Sequence, residues 1–133
     1  MVARISEADA KLLGLPATKA AQSRPVPGKM NRTEAAYAAT LELDRISGAI
    51  VLYAFDAVKF RIADKCWYTP DFLVVLPDGR VELHEVKGFW REDAIVKVKV
   101  AADKYPFRFV AVTKQSRKLG GGWTFREFSR GYR

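Results

Sequence analysis

The chain has 133 residues, of which 49% are hydrophobic and 29% are charged, as is usual for one folded domain with a modest core. No apolar run approaches the roughly 18 residues of a membrane span, and the first residues lack a secretory-signal pattern, so we expect a cytoplasmic protein without a membrane partner. The single cysteine, Cys66, cannot form an internal disulfide, which fits a reducing compartment.

The net charge of +8 is concentrated in the two flanks of the chain. Residues 1–32 contain six Lys or Arg and two acids, and residues 111–133 contain six and one, whereas residues 33–110 contain eleven and twelve. Basic flanks around an acidic centre are typical of a protein that binds a phosphate backbone and holds a cation. Two basic tails that only confer solubility are the alternative.

The first segment, residues 1–30, is predicted to be a basic arm. A short helical pattern at Ile5–Leu15 precedes three prolines and a glycine, which indicate a loop. We expect this arm to be mobile in the free protein and to become ordered on nucleic acid.

A helix is predicted from Asn31, because Asn31–Glu34 matches a capping box, and it should end at Gly48. Glu34 can be interpreted in two ways, since a glutamate at this position can cap the first turn or reach a site on a neighbouring sheet. Tyr37 and Leu41 share its side of the helix and should pack towards that sheet.

Two short apolar segments, Ala49–Phe55 and Val58–Ile62, are predicted to form a pair of strands. Trp67 follows them and is expected in the core.

The strongest local pattern is an antiparallel hairpin. Its strands are predicted at Phe72–Leu76 and Val81–Lys87, joined by a turn that contains Pro77, Asp78 and Gly79. Alternation along the second strand places Glu85 and Lys87 on one face.

Asp71 precedes the first strand by one residue, so the hairpin should bring it to Glu85, fourteen residues later. Two carboxylates and a lysine are costly to bury without a purpose. Carboxylate oxygens are ligands for magnesium, and Lys87 beside such a site could orient a water or neutralise phosphate charge, which indicates metal-assisted phosphodiester hydrolysis. The alternative is a solvated ion pair of Glu85 with Lys87 and a turn-capping Asp71.

The only histidine, His84, falls on the opposite strand face from Glu85 and is expected to be structural. Zinc sites and nucleases that use a histidine pair would need more histidines than this chain has.

A second helix is predicted at Arg91–Lys104, followed by a strand at Phe107–Thr113 that a crossover connection should make parallel to Val81–Lys87. Phe89 and Trp90, before this helix, could stack on a base or pack against the helix. A last strand is possible at Trp123–Phe128.

Taken together, Pro70-Asp71, Glu85-Val86-Lys87, the helical Asn-Arg-Thr-Glu segment and the Lys-Gly-Phe-Trp segment resemble the PD-(D/E)xK nuclease superfamily. The pattern is similar to small phage-encoded members related to endonuclease I-type Holliday junction resolvases, and it covers roughly residues 31–112. The resemblance implies an α/β fold with a restriction-endonuclease-like core, in which helices flank a mixed four- to five-stranded sheet in αβββαβ order. It assigns residues 31–133 to one nuclease domain with a basic C-terminal tail.

The resemblance also implies a Mg²⁺- or Mn²⁺-dependent endodeoxyribonuclease that resolves branched DNA as a homodimer, with no small-molecule cofactor. One or two ions would be held by Asp71, Glu85, the Val86 carbonyl and Glu34, and Lys87 would orient or activate the attacking water. The residues expected to contact DNA are Lys29, Arg32, Trp90, Lys97, Lys114, Arg117, Lys118 and Arg126. The alternatives are a restriction-like or general nicking nuclease, and a DNA-binding module whose site is vestigial.

Overall fold

The structure, a computed structural model, describes residues 28–128. The helical pattern predicted at Ile5–Leu15, and the predicted basic arm as far as residue 27, lie outside the described residues. The elements within them are α1 (Arg32–Ser47), β1 (Leu52–Phe55), β2 (Phe60–Ala63), β3 (Cys66–Tyr68), β4 (Phe72–Val75), β5 (Val81–Lys87), α2 (Glu92–Lys104), β6 (Arg108–Lys114), a short 3₁₀ turn (Arg117–Leu119) and β7 (Trp123–Phe128).

Five strands form one mixed sheet in the order β1-β4-β5-β6-β7, and β2 and β3 form a separate two-stranded hairpin. The β5–β6 pair is parallel, and the other neighbours in the five-stranded sheet are antiparallel. Helix α2 provides the crossover between β5 and β6, as predicted. Residues 28–128 therefore form an α/β structure with a mixed five-stranded sheet and two helices.

Helix α1 begins and ends where its sequence predicts. The Asn31 side chain accepts a hydrogen bond from the Glu34 N–H at 2.8 Å, and the Glu34 carboxylate accepts one from the Asn31 N–H at 2.8 Å. Gly48 closes the helix in the left-handed conformation, with φ of 87°, a region that glycine enters at little cost. The capping box is confirmed.

The β4–β5 hairpin is also confirmed. Its register pairs Phe72 with His84 and Val75 with Val81. The turn is held by the Leu76 N–H, which donates to the Arg80 carbonyl at 2.9 Å. Consequently Glu85 and Lys87 project from one face of the sheet, and His84 projects from the other.

The predicted pairing of Ala49–Phe55 with Val58–Ile62 is wrong. β1 pairs with β4, and β2 pairs with β3 in the separate hairpin. The chain turns at Asp56, which has a positive φ of 55°, and a second tight turn at Lys65, also with φ of 55°, folds β2 back onto β3. These two left-handed residues, which carry no glycine signal, divide the region into two sheets.

Each face of the sheet carries its own core. On the α2 face, Leu83, Val98 and Phe109 are buried together with the inner side of the β2–β3 hairpin. On the α1 face, Tyr37 and Phe72 are buried, with Leu41, Val74, Val86, Val110 and Val112 around them. Both faces of β5 are thus covered, which explains why its burial is nearly continuous.

The expectation that Trp67 lies in the core is wrong, because its side chain points outward from β3 and is 47% exposed. Its neighbour Tyr68, on the inward-pointing side, is buried in its place.

The C-terminal basic segment belongs to the sheet as far as Phe128. β7 pairs with β6 over the register Phe109–Phe128 to Lys114–Trp123, so the possible last strand is confirmed. Within residues 28–128, no helix combines the length and apolar character needed to cross a membrane.

Candidate active site

The candidate site lies at the edge of the sheet where pairing between β4 and β5 ends. The last paired residues are Phe72 and His84, and β5 continues to Lys87 without a β4 partner. Asp71 stands immediately before β4 and therefore faces this open end. Local sequence signals predict the hairpin, and the hairpin in turn brings Asp71 close to Glu85.

Asp71 is held against β5 by a backbone hydrogen bond. Its Oδ2 accepts from the Val86 N–H at 2.8 Å. Because the N–H and C=O of one strand residue point to the same side, the Val86 carbonyl is also directed to the Asp71 side. Burial, followed by the charges of Glu85 and Glu34, raises the pKa of Asp71 to about 8.

Glu85 is buried, with both of its carboxylate oxygens in contact with neighbouring side chains. Its Oε1 accepts from the Tyr68 hydroxyl at 3.0 Å, and its Oε2 lies 3.2 Å from Lys87 Nζ. Burial raises the pKa of Glu85, and it outweighs the opposing effects of Lys87 and Tyr68. Burial and the nearby Glu85 also raise the pKa of Tyr68, so this phenol stays protonated and donates.

Lys87 is half-buried beside these acids. Burial alone would lower its pKa, but the charges of Glu85 and Asp71 outweigh that effect and raise it. Its ammonium group is therefore charged at neutral pH, in contact with Glu85 and able to donate to an additional oxygen.

Glu34 reaches the same place from the first turn of α1. It forms the capping box with Asn31, and its carboxylate lies close enough to Asp71 to help raise the pKa of that carboxyl. The two interpretations of Glu34 from the sequence are thus compatible in the structure. One side chain both caps the helix and contacts the carboxyl of Asp71.

The site is acidic overall, since three carboxyl groups face one lysine. Hard divalent cations take oxygen ligands, and a cation would favour the ionised carboxylates that burial and mutual repulsion now disfavour. The donor chemistry therefore fits Mg²⁺ or Mn²⁺. In residues 28–128 no group of three or more His, Cys, Asp or Glu side chains is arranged as a coordination set.

Basic residues adjoin the site through β6. Thr113 pairs with Lys87 in the parallel register, so Lys114 follows at the same edge of the sheet as the acids. Arg117 and Lys118 lie in the next turn, and all three side chains are exposed.

The other residues predicted to contact DNA are scattered. Lys29 is half-buried before α1, Arg32 is exposed on its first turn, and Lys97 is exposed on α2. Arg126 is exposed on β7, with its guanidinium 4.7 Å from the ring centroid of Phe128. None of these positions by itself identifies a ligand.

The aromatic pair after β5 separates in the structure. Phe89 is 77% exposed, whereas Trp90 packs against the core on the α2 face, so the packing alternative describes Trp90. Among residues 28–128, its buried indole Nε1 has no hydrogen-bond partner.

His84 is structural, as expected. It is buried on the α1 face between the Tyr37 hydroxyl, 2.7 Å from Nδ1, and Glu82, 2.9 Å from Nε2. Glu82 also forms an ion pair with Arg108 on β6. This polar network links α1 to the centre of the sheet.

Sequence reasoning did not assign Tyr68, which holds Glu85, or Glu82, which holds His84. The usable signal for Tyr68 was its place three residues before Asp71, on a strand whose alternate residues point inward. Comparisons of the chain with protein families, with curated proteins and with solved structures found no match.

Proposed function

We propose that this protein is a metal-dependent endodeoxyribonuclease of the PD-(D/E)xK type. The proposal rests chiefly on one observation. Near the open end of the β4–β5 pair, Asp71 lies close enough to Glu34, on α1, and to Glu85, on β5, for their charges to raise its pKa, and Lys87 contacts Glu85. The mixed sheet, with one helix on each face, is compatible with a restriction-endonuclease-like core.

The ion would be held by Asp71 and Glu85, together with the Val86 carbonyl and Glu34. When bound, Mg²⁺ or Mn²⁺ would lower the pKa of a coordinated water and neutralise charge on the scissile phosphate. One or two ions per site are consistent with three carboxylates.

Lys87 acts as a positioning and charge-neutralising group. Since its raised pKa keeps it protonated, it donates hydrogen bonds and does not remove a proton from water at neutral pH. Its ammonium can orient the attacking water oxygen towards phosphorus or stabilise the extra negative charge on the phosphate as the P–O bond breaks. The hydrogen bond from the Tyr68 hydroxyl restrains Glu85, which is the acid in contact with Lys87.

The exposed cations beside the site are suited to the polyanion. The edge where β5 and β6 end carries Lys114, Arg117 and Lys118. A DNA backbone bound to these cations would therefore pass close to the carboxylates of the candidate site. Branched DNA as the substrate, cut by a homodimer with two sites, is the further part of this proposal and follows from the resemblance to resolvases.

The test is cleavage of a labelled four-way junction and of a linear duplex of the same sequence, each with Mg²⁺, Ca²⁺ or a chelator. We expect the junction to be cut with Mg²⁺ and left intact with chelator, and Asp71→Asn to abolish cutting while it retains DNA binding. Asparagine resembles the protonated aspartic acid, which the raised pKa already favours, so the variant should fold.

The matched control is Asp78→Asn, the same change at an exposed turn residue at the far end of the hairpin, which should cut normally. Equal cutting of junction and duplex would favour the restriction-like or nicking alternative. Cutting by Asp71→Asn at the normal rate, or cutting in chelator, would refute the proposal. Binding of the junction without any cutting would favour the alternative of a DNA-binding module with a vestigial site.

A further inference from the structure

We propose that the outer face of the β2–β3 hairpin is a second DNA-contacting surface, on which Trp67 stacks with an unpaired base near the cut phosphate. This inference rests on the proposed function. The surface consists of Lys59, Arg61, Lys65 and Trp67, and we name it the hairpin platform.

The first observation is the way the hairpin divides into two faces. Its inner side chains, Ile62 and Tyr68, are buried in the core with α2, and Phe60 and Cys66 pack against them. This packing holds the hairpin against the domain, and Lys104 of α2 and the following Tyr105 donate hydrogen bonds to its backbone carbonyls. On the opposite face, Lys59, Arg61, Lys65 and Trp67 are all exposed.

The second observation is the composition of that outer face. Trp67 is 47% exposed, and Lys59 Nζ lies 5.3 Å from its ring centroid. Arg61 is the cross-strand partner of Trp67, and Lys65 is exposed at the turn. Asp64 is the only acid of the hairpin and pairs with Arg61 at 3.1 Å, so the outer face has a net positive charge.

An exposed indole beside cations is the combination that binds unstacked nucleic acid. Aromatic rings stack on bases of any sequence, and the cations neutralise the neighbouring phosphates. A strand face that only contacted water would need polar side chains but no exposed tryptophan. In the free protein Lys59 lies against the indole, and on binding it can exchange this cation–π contact for a phosphate.

The third observation is the distance to the candidate site. Asp71 follows Trp67 by four positions, so their Cα atoms lie at most about 14 Å apart. One strand of a B-form duplex rises about 3.4 Å per nucleotide, so the platform lies within about four nucleotides of a phosphate at the acids. The intervening Tyr68 is itself bonded to Glu85, which ties the hairpin to the site.

The experiment compares two DNA probes that differ in unpaired bases: a duplex with a five-nucleotide single-stranded arm and the same duplex with blunt ends. Binding is measured by fluorescence anisotropy with Mg²⁺ in the Asp71→Asn background, where DNA stays intact. We expect Trp67→Ala to weaken binding of the armed duplex by roughly 5-fold or more and to leave blunt-duplex affinity within about 2-fold. Trp67→Phe, which keeps a stacking ring, should recover most of the affinity.

A second variant tests the cations without touching the ring. Lys59→Gln with Lys65→Gln should reduce the salt slope of armed-duplex binding by about 1.4–1.8. Both positions are exposed, so the variant should melt at the wild-type temperature. Lys99→Gln, an exposed lysine on α2, is the control and should leave the slope unchanged.

The platform is refuted if Trp67→Ala binds the armed duplex as tightly as the parent, or loses affinity equally for both probes. Cleavage is assayed in parallel with protein that retains Asp71. The failure of the platform can then be distinguished from the failure of the proposed nuclease activity. Normal cleavage with no effect of Trp67→Ala overturns the platform alone. Loss of armed-duplex binding in Trp67→Ala, with no cleavage by the unsubstituted chain, supports the platform and overturns the nuclease.

Discussion

At Asp71, burial and two neighbouring carboxylates act in the same direction on one titratable group. Its folded-state pKa, about 8, is far above the ordinary aspartic acid value of 3.8. A folded state that binds a proton more tightly than the unfolded chain loses stability as pH rises between the two values. The ionised acid is thus a local destabilising feature of the metal-free protein.

We therefore expect the metal-free protein to lose stability as pH rises from about 4 towards 8. In chelator, the melting temperature should fall by roughly 5 °C or more across this range. Asp71→Asn should remove most of this dependence, because it carries no proton to lose. A wild-type melting temperature that rises from pH 5 to pH 8 would contradict the assigned environment of Asp71.

Lys87 provides a second prediction at the residue scale. Lys87→Met keeps the length and the apolar stem of the side chain and removes its charge, so single-turnover cleavage should slow by about 10²–10³-fold. The Mg²⁺ concentration for half-maximal rate should change little, since Lys87 is not a ligand. Lys99→Met, on exposed α2, is the control. A variant that cuts at the normal rate would assign Lys87 to an ion pair with Glu85 only.

At the scale of elements, α1 is fixed to the sheet by a buried polar contact as well as by apolar packing. The Tyr37 hydroxyl lies 2.7 Å from His84 Nδ1, and burial raises the pKa of Tyr37, so it remains protonated. Donation from Tyr37 to Nδ1 and from Nε2–H to Glu82 satisfies all three groups. Because Glu34 lies one turn earlier on α1, this contact also sets the position of the helix acid.

Tyr37→Phe should therefore destabilise the protein by about 1–3 kcal/mol, since it leaves the buried His84 nitrogen without a partner. Urea unfolding measures the loss. Tyr53→Phe is a matched control, because Tyr53 bonds to Glu42, which keeps its two contacts with Arg45. If the two variants lost the same free energy of unfolding, the contact with His84 would stabilise α1 no more than the contact of Tyr53 with Glu42 does.

On the scale of the whole molecule, charge and topology are arranged together. The parallel β5–β6 pair places the end of β6, with its following cations, at the edge where the acids lie. β7 then returns along β6 and buries Phe128, so the basic segment cannot be removed by truncation without loss of a strand. Substitution of individual cations is the appropriate test of its role.

We expect Lys114→Gln, Arg117→Gln and Lys118→Gln together to weaken DNA binding and to lower the magnitude of the salt slope by about 2.7, if each contacts one phosphate. Affinity is measured between 50 and 200 mM salt. Arg80→Gln with Lys99→Gln, two exposed cations of which the first lies at the opposite end of β5, is the control. An unchanged slope in the triple variant would assign these cations to solubility.

The sequence by itself determined the elements whose signals are local. The capping box at Asn31 and the glycine at position 48 set the limits of α1, and the proline–aspartate–glycine turn set the β4–β5 hairpin. Period-two alternation then separated Glu85 from His84, because successive side chains on a strand take opposite faces. These inferences need only backbone chemistry within a few residues.

Tertiary structure alone decided which distant segments of the chain pair and pack together. The partners of β1 and β2 depend on two left-handed turns at non-glycine residues, which no local propensity predicts. The exposure of Trp67 and the bond from Tyr68 to Glu85 followed from the same hairpin. Strand partners and side-chain burial depend on contacts between distant segments, so only the folded chain could determine them.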